Sequence, residues 1–98
     1  MKELPQTIEF ANGSTLSVGD TFYYVSPELH DGTIETNVVE SIWHKNNLYG
    51  ERIRFIPEGK SYYHFVYKQF FERENPTCFL NYEEAKKQAE LQLYKAAN

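Results

Sequence analysis

Ser17-Val18-Gly19-Asp20-Thr21-Phe22-Tyr23-Tyr24-Val25 is the stretch around which the chain is organised. Gly19-Asp20 supplies a tight corner, and a run of aromatic and β-branched residues leaves that corner as a strand. Successive strand side chains point to opposite faces, so Phe22 and Tyr24 share one face while Tyr23 and Val25 share the other. Apolar character on both faces implies a strand covered on both sides, or one with an exposed aromatic face. Just upstream, Thr7–Phe10 and Ser14–Val18 flank Ala11-Asn12-Gly13. Asn-Gly between short alternating runs predicts a hairpin closed by a type I′ turn, with Ile8, Phe10 and Leu16 turned inward.

Downstream, Pro27–Gly32 reads as a polar loop and Thr33–His44 as a long extended stretch. Ile34, Thr36 and Val38 hold a period of two. Val39 and Ile42, three apart, break it, which predicts a bulge or bend near Val39–Ser41. Lys45-Asn46-Asn47 forms a second turn, and Leu48–Ile56 then sets Ile53 and Phe55 inward against Arg52 and Arg54 outward. Pro57–Lys60 is a third turn, leading into Ser61–Tyr67. There Tyr63, Phe65 and Tyr67 line one face, with Tyr62, His64 and Val66 on the other. Phe70-Phe71 fits either a strand extension or a short helical turn, which Pro76 ends. Thr77–Leu80 reads as a brief strand or lead-in.

Asn81-Tyr82-Glu83-Glu84 marks a helix start. Asn81 can cap the first free backbone N–H groups, Glu84 stands at the capping-box position, and two acids face the positive helix end. Good helix formers follow to about Ala97, with Tyr82, Ala85, Ala89 and Leu93 as a narrow stripe at helical spacing. The whole is one domain over 1–98, with an N-terminal hairpin at 7–18, barrel strands over 20–80 and a C-terminal helix at 82–97. The fold class is mainly β (α+β): a small antiparallel SH3-like barrel or bent sheet with that hairpin and helix attached.

At 98 residues the chain has room for one core. Eight Tyr, seven Phe and one Trp make it rich in aromatic surface as well as aromatic core. The net charge of -4 argues against a nucleic-acid role, yet the charge is unevenly spread. Residues 1–42 hold one Lys against seven acids, whereas residues 43–73 hold six basic residues against three acids. That basic centre could offer a local anion-binding face. Cys78 is the only cysteine, so no internal disulfide forms and a reducing compartment is expected. The start of the chain lacks a signal-peptide apolar run, and no stretch approaches the roughly 20 apolar residues of a membrane span. These features predict a cytoplasmic protein.

Several stretches also carry a family likeness. Val18–Val25 resembles the opening strand of SH3-like barrels in short bacterial and prophage proteins. Val39-Glu40-Ser41-Ile42, then Tyr49 and Ile53-Arg54-Phe55, resemble their second and third strands. Cys78-Phe79-Leu80-Asn81-Tyr82-Glu83-Glu84-Ala85 is similar to their recurrent Phe-x-Thr-x-Glu-Glu-Ala helix start, with Asn81 where Thr is commoner. The resemblance covers roughly residues 16–96 and leaves the N-terminal hairpin outside. It implies a fold and brings no catalytic residue with it.

The residues offer little for catalysis. His30, His44, His64 and Cys78 lack the paired spacing of a zinc site, so no metal or cofactor is expected. Cys78 lies three positions before the helix, where the dipole could favour a thiolate, but its apolar neighbours Phe79 and Leu80 point to a buried structural cysteine. There is no Gly-x-Ser-x-Gly elbow, phosphate-cradling loop or dinucleotide fingerprint. What remains is an aromatic and basic constellation. Tyr23, Trp43, Tyr62 and His64 are expected to share a face with Arg52 and Arg54, either as a binding face or as cover for the interior beneath the helix.

The leading expectation is a non-catalytic module that binds a protein partner or associates with itself. The prophage resemblance extends this to a regulator or inhibitor of a host protein. The alternative is a nucleic-acid-binding barrel using Arg52, Arg54, Lys60 and Lys68.

Overall fold

The structure is a computed structural model and describes residues 7–43 and 50–97. The turn at Lys45-Asn46-Asn47, the residues His44 and Tyr49, and the start of the expected strand at Leu48 lie outside the described residues. Among the described residues, seven strands and two helices follow one another: β1 (Thr7–Glu9), β2 (Thr15–Ser17), β3 (Thr21–Tyr24), β4 (Glu35–Trp43), β5 (Arg52–Pro57), β6 (His64–Tyr67), α1 (Gln69–Glu72), β7 (Cys78–Phe79) and α2 (Tyr82–Ala97). β1 and β2 form a separate hairpin, and the other five strands pair antiparallel in the order β6-β5-β4-β3-β7. This sheet curls into a half-barrel, so the fold is a small SH3-like α+β barrel with an N-terminal hairpin and a C-terminal helix.

The hairpin closes differently from the type I′ expectation. Gly13 has a φ of +90°, while Asn12 keeps a negative one. Phe10 O accepts from Gly13 N at 3.0 Å, and Phe10 N donates to Ser14 O at 2.9 Å. The loop is thus three residues long and needs a left-handed backbone only at its glycine. Asn12 serves instead through its side chain, whose Oδ1 accepts from Ser14 N at 2.9 Å.

The concave side of the sheet holds the main core. Ile8, Phe10 and Leu16 of the hairpin meet Phe22, Val39, Ile42, Ile53, Phe55, Val66 and Cys78, with Phe70 and Phe71 of α1 packed against them. Phe70-Phe71 therefore forms the helical turn rather than a strand extension, and its rings close one end of the half-barrel. Phe71 lies 5.1 Å from Phe10 and 5.4 Å from Phe22, centroid to centroid. Asn37 is also fully buried on this side, and neither its amide nitrogen nor its amide oxygen has a hydrogen-bond partner in the protein.

A second, smaller core lies on the convex side, where Val25 and Phe79 meet Ala85 and Ala89 of α2, with Tyr23 and Ile34 at its margin. β3 is therefore covered on both faces, the first of the two arrangements its sequence permits. Small side chains at Ala85 and Ala89 let the helix approach the sheet closely. Asn81 caps α2: its Oδ1 accepts from Glu83 N at 2.7 Å and from Glu84 N at 3.4 Å.

The buried stripe of α2 departs from the expected one. Tyr82 and Leu93 are largely exposed, and Gln92 is buried in their stead. The reason is the loop after β3. Gln92 Nε2 donates to Ser26 O at 2.8 Å and to Leu29 O at 2.6 Å, fastening that loop to the helix.

β4 carries the expected bulge, with its register to β5 shifting between Val39 and Ser41. Val38 lies opposite Ile56 and Val39 opposite Phe55 before the shift; Ile42 lies opposite Ile53 and Trp43 opposite Arg52 after it. Val39 and Ile42 both reach the core because Glu40 is the extra residue between them.

Candidate functional site

The convex face is only half covered. α2 packs over β3 and β7, and over β4, β5 and β6 the closest described neighbour on this face is α1, whose Phe70 meets Tyr67 at the end of β6 at 6.2 Å. Strand alternation places Val38, Ser41 and Trp43 of β4, Arg52, Arg54 and Ile56 of β5, and Phe65 and Tyr67 of β6 on this side. Val38, Ile56, Tyr63 and Phe65 are exposed at 45%, 39%, 46% and 41%. These are large apolar groups on one face of the sheet.

Two arginines are threaded between the rings. The Arg52 guanidinium carbon lies 5.5 Å from the Trp43 ring centroid and 4.8 Å from that of Phe65. The Arg54 carbon lies 3.8 Å above Tyr63. Trp43 meets Phe65 edge-on at 6.1 Å, and Tyr63 meets Phe65 in the same way at 5.9 Å. Trp43 Nε1 donates to Ser41 Oγ at 3.2 Å, which fixes the indole plane. Glu40, displaced by the bulge, forms an ion pair with Arg54. Each stacked arginine contributes about 0.5–1 kcal/mol at a surface of this exposure. The larger effect is positional: two long side chains are held against the rings.

Of the six residues the sequence nominated, the structure brings Trp43, Arg52 and Arg54 together. Tyr23 is on the same side of the sheet but beneath α2, where it packs edge-on against Tyr82 at 5.4 Å. Tyr62 and His64 are on the opposite side. Val66 points into the core, and strand alternation carries His64 and Tyr62 with it, to the rim beside Phe55. The rings that join the arginines are instead Tyr63 and Phe65. What selects them is the pairing of Val66 with Ile53, which sets the inward face of β6 and cannot be read along the chain.

The other candidates are placed elsewhere. Cys78 is buried in the main core, and burial pushes its thiol up to about 12, against smaller opposing effects of Thr77 and Arg73. It stays protonated at neutral pH and has no nucleophilic character there. Iodoacetamide at neutral pH is accordingly expected to leave Cys78 unlabelled in the folded protein and to label it in denaturant, as read by intact mass. Labelling in the native state at the denatured rate would show that the thiol is accessible. His30 sits on the surface with Nδ1 3.3 Å from Gln92 O. Among the described residues no group of three His, Cys, Asp or Glu side chains could hold a metal ion. A cleft of about 730 Å³ lies between the hairpin turn, α1 and the start of α2, with Phe10, Asn12, Glu72 and Glu84 in its walls. Glu72 is engaged there, accepting from Ala11 N at 2.9 Å. No described helix is long and apolar enough to cross a membrane.

Comparison with family models, curated proteins and solved structures finds no match to this chain.

Proposed function

We propose that this chain is a non-catalytic protein-interaction module whose convex face beyond α2, built on Trp43, Arg52, Arg54, Tyr63 and Phe65, binds a partner protein presenting carboxylate and apolar groups. The observation that carries the reading is the pair of arginines held against aromatic rings on the part of the sheet face that α2 leaves uncovered. Trp, Tyr and Arg dominate interface hot spots because they bury much area at little entropic cost and add directional contacts. An arginine already held against a ring presents its remaining donors to a carboxylate in a restricted orientation. The prophage-like strand and cap motifs extend the reading to a regulator or inhibitor of a host protein. Pairing of Arg54 with Glu40 lowers the positive potential of the face, which favours a protein partner over a phosphate backbone.

The test is affinity capture from host lysate, with and without nuclease, using the wild type and the variants Trp43→Ala and Arg52→Glu. A protein held by the wild type after nuclease treatment, and bound about 30-fold more weakly by each variant, is the expected result. Retention lost on nuclease treatment would transfer the face to single-stranded nucleic acid. Capture indifferent to both variants would remove the face from the function.

A further inference from the structure

β6 is an edge strand: among the described residues, β5 is its only partner in the sheet. Which of its backbone groups remain outside the sheet follows from one hydrogen bond. Lys68 N donates to Glu51 O at 2.9 Å, continuing the β5–β6 register in which Val66 faces Ile53 and His64 faces Phe55. Antiparallel pairing alternates hydrogen-bonded with non-hydrogen-bonded positions. Val66 and His64 therefore turn their N–H and C=O groups to β5. Phe65 turns both of its own away from the sheet.

Natural edge strands are shielded by charges, prolines or bulges. This one has none of them: Ser61-Tyr62-Tyr63-His64-Phe65-Val66-Tyr67 contains no Lys, Arg, Asp, Glu, Pro or Gly. It is rich in aromatic and β-branched residues, and its pairing with β5 shows no register shift. Such a segment is complementary to itself, because antiparallel pairing of two copies brings no like charges opposite one another within it.

We propose that the chain forms a two-fold symmetric dimer in which β6 pairs antiparallel with β6 of a second copy, with the two Phe65 residues opposite each other on the axis. Each Phe65 gives its outward N–H to the other's carbonyl, and the two five-stranded sheets become one. The twofold makes the contact self-limiting. This goes beyond the partner-binding reading, since it uses the sheet edge and needs no other protein.

Sedimentation equilibrium of the full chain from micromolar concentrations upward is the first measurement, with about twice the 11.6 kDa chain mass expected. Phe65→Lys and Phe65→Glu each set like charges directly opposite on the axis and are expected to weaken the dimer about tenfold or more. An equal mixture of the two restores dimer mass, because Lys then faces Glu. Should either variant lose its far-ultraviolet circular dichroism, Phe65→Pro replaces it. That change removes the Phe65 ring and an N–H that the β5–β6 ladder does not use, and it too should yield monomer. A monomeric wild type overturns the proposal. So do charged variants that remain dimeric, and so does a mixture that stays monomeric.

Discussion

Phe22→Ala is expected to lower the unfolding free energy by about 3–5 kcal/mol and the melting temperature by roughly 15–30 °C. Phe22 is fully buried at the centre of the main core. Its ring meets Phe55 at 5.2 Å and 80°, and Phe71 at 5.4 Å and 63°. Truncation removes the transfer free energy of the ring and leaves a cavity between elements distant in sequence, the hairpin, β5 and α1, which collapse can close only in part. A domain of this size has about 5–15 kcal/mol in total, so the variant should be partly unfolded at physiological temperature. Phe22→Leu retains most of the volume and should cost about 1.5 kcal/mol or less. Urea titration of both variants checks the pair. Equal midpoints for Phe22→Leu and Phe22→Ala would mean that the ring does not organise this core.

Gln92→Leu is expected to cost about 2–3 kcal/mol even though it substitutes an apolar side chain at a buried helix position. The amide nitrogen of Gln92 is shared between the carbonyls of Ser26 and Leu29, and its oxygen accepts from Gln88 Nε2 at 3.1 Å. Leucine at this site leaves both loop carbonyls facing a hydrocarbon surface, and an unmade buried hydrogen bond costs more than a made one gains. Gln88→Ala removes only the outer support and should cost about 0.5–1 kcal/mol. Thermal melts of the two variants distinguish the bridge from ordinary helix packing. A Gln92→Leu protein as stable as the wild type would show that water satisfies the two carbonyls as well as the amide does.

The elements legible in the sequence were those fixed by local chemistry. The hairpin at Asn12-Gly13, the bulge after Val39, the Asn81 cap and the inward Ile53 and Phe55 all depend on neighbours within a few residues. The face of β6 was less legible because both alternating sets, Tyr62-His64-Val66 and Tyr63-Phe65-Tyr67, are apolar enough to be buried. Only pairing with Ile53 settles it, and that contact is not local. Tyr23 lies beneath α2, the second of the two arrangements its sequence left open, and this was not legible because α2 returns from the far end of the chain to pack on it. Gln92 and Asn37 carry no apolar signal at all. Gln92 could be found only from its spacing after Ala85 and Ala89, at the cost of passing over the more hydrophobic Leu93.

The bulge in β4 acts as a reading frame for the surface. Strand alternation counts residues, and the extra residue at Glu40 advances that count by one, so that Ile42 is delivered to the interior and Trp43 to the outside. Were Glu40 paired as an ordinary strand residue, the two would exchange places, and the indole would be forced into the half-barrel while an isoleucine stood beside Arg52. The character of the convex face is therefore set by whether Glu40 joins the ladder as much as by the identity of any side chain. Removing Glu40 and the bulge together would return β4 to plain alternation with the same faces, at the cost of the ion pair to Arg54.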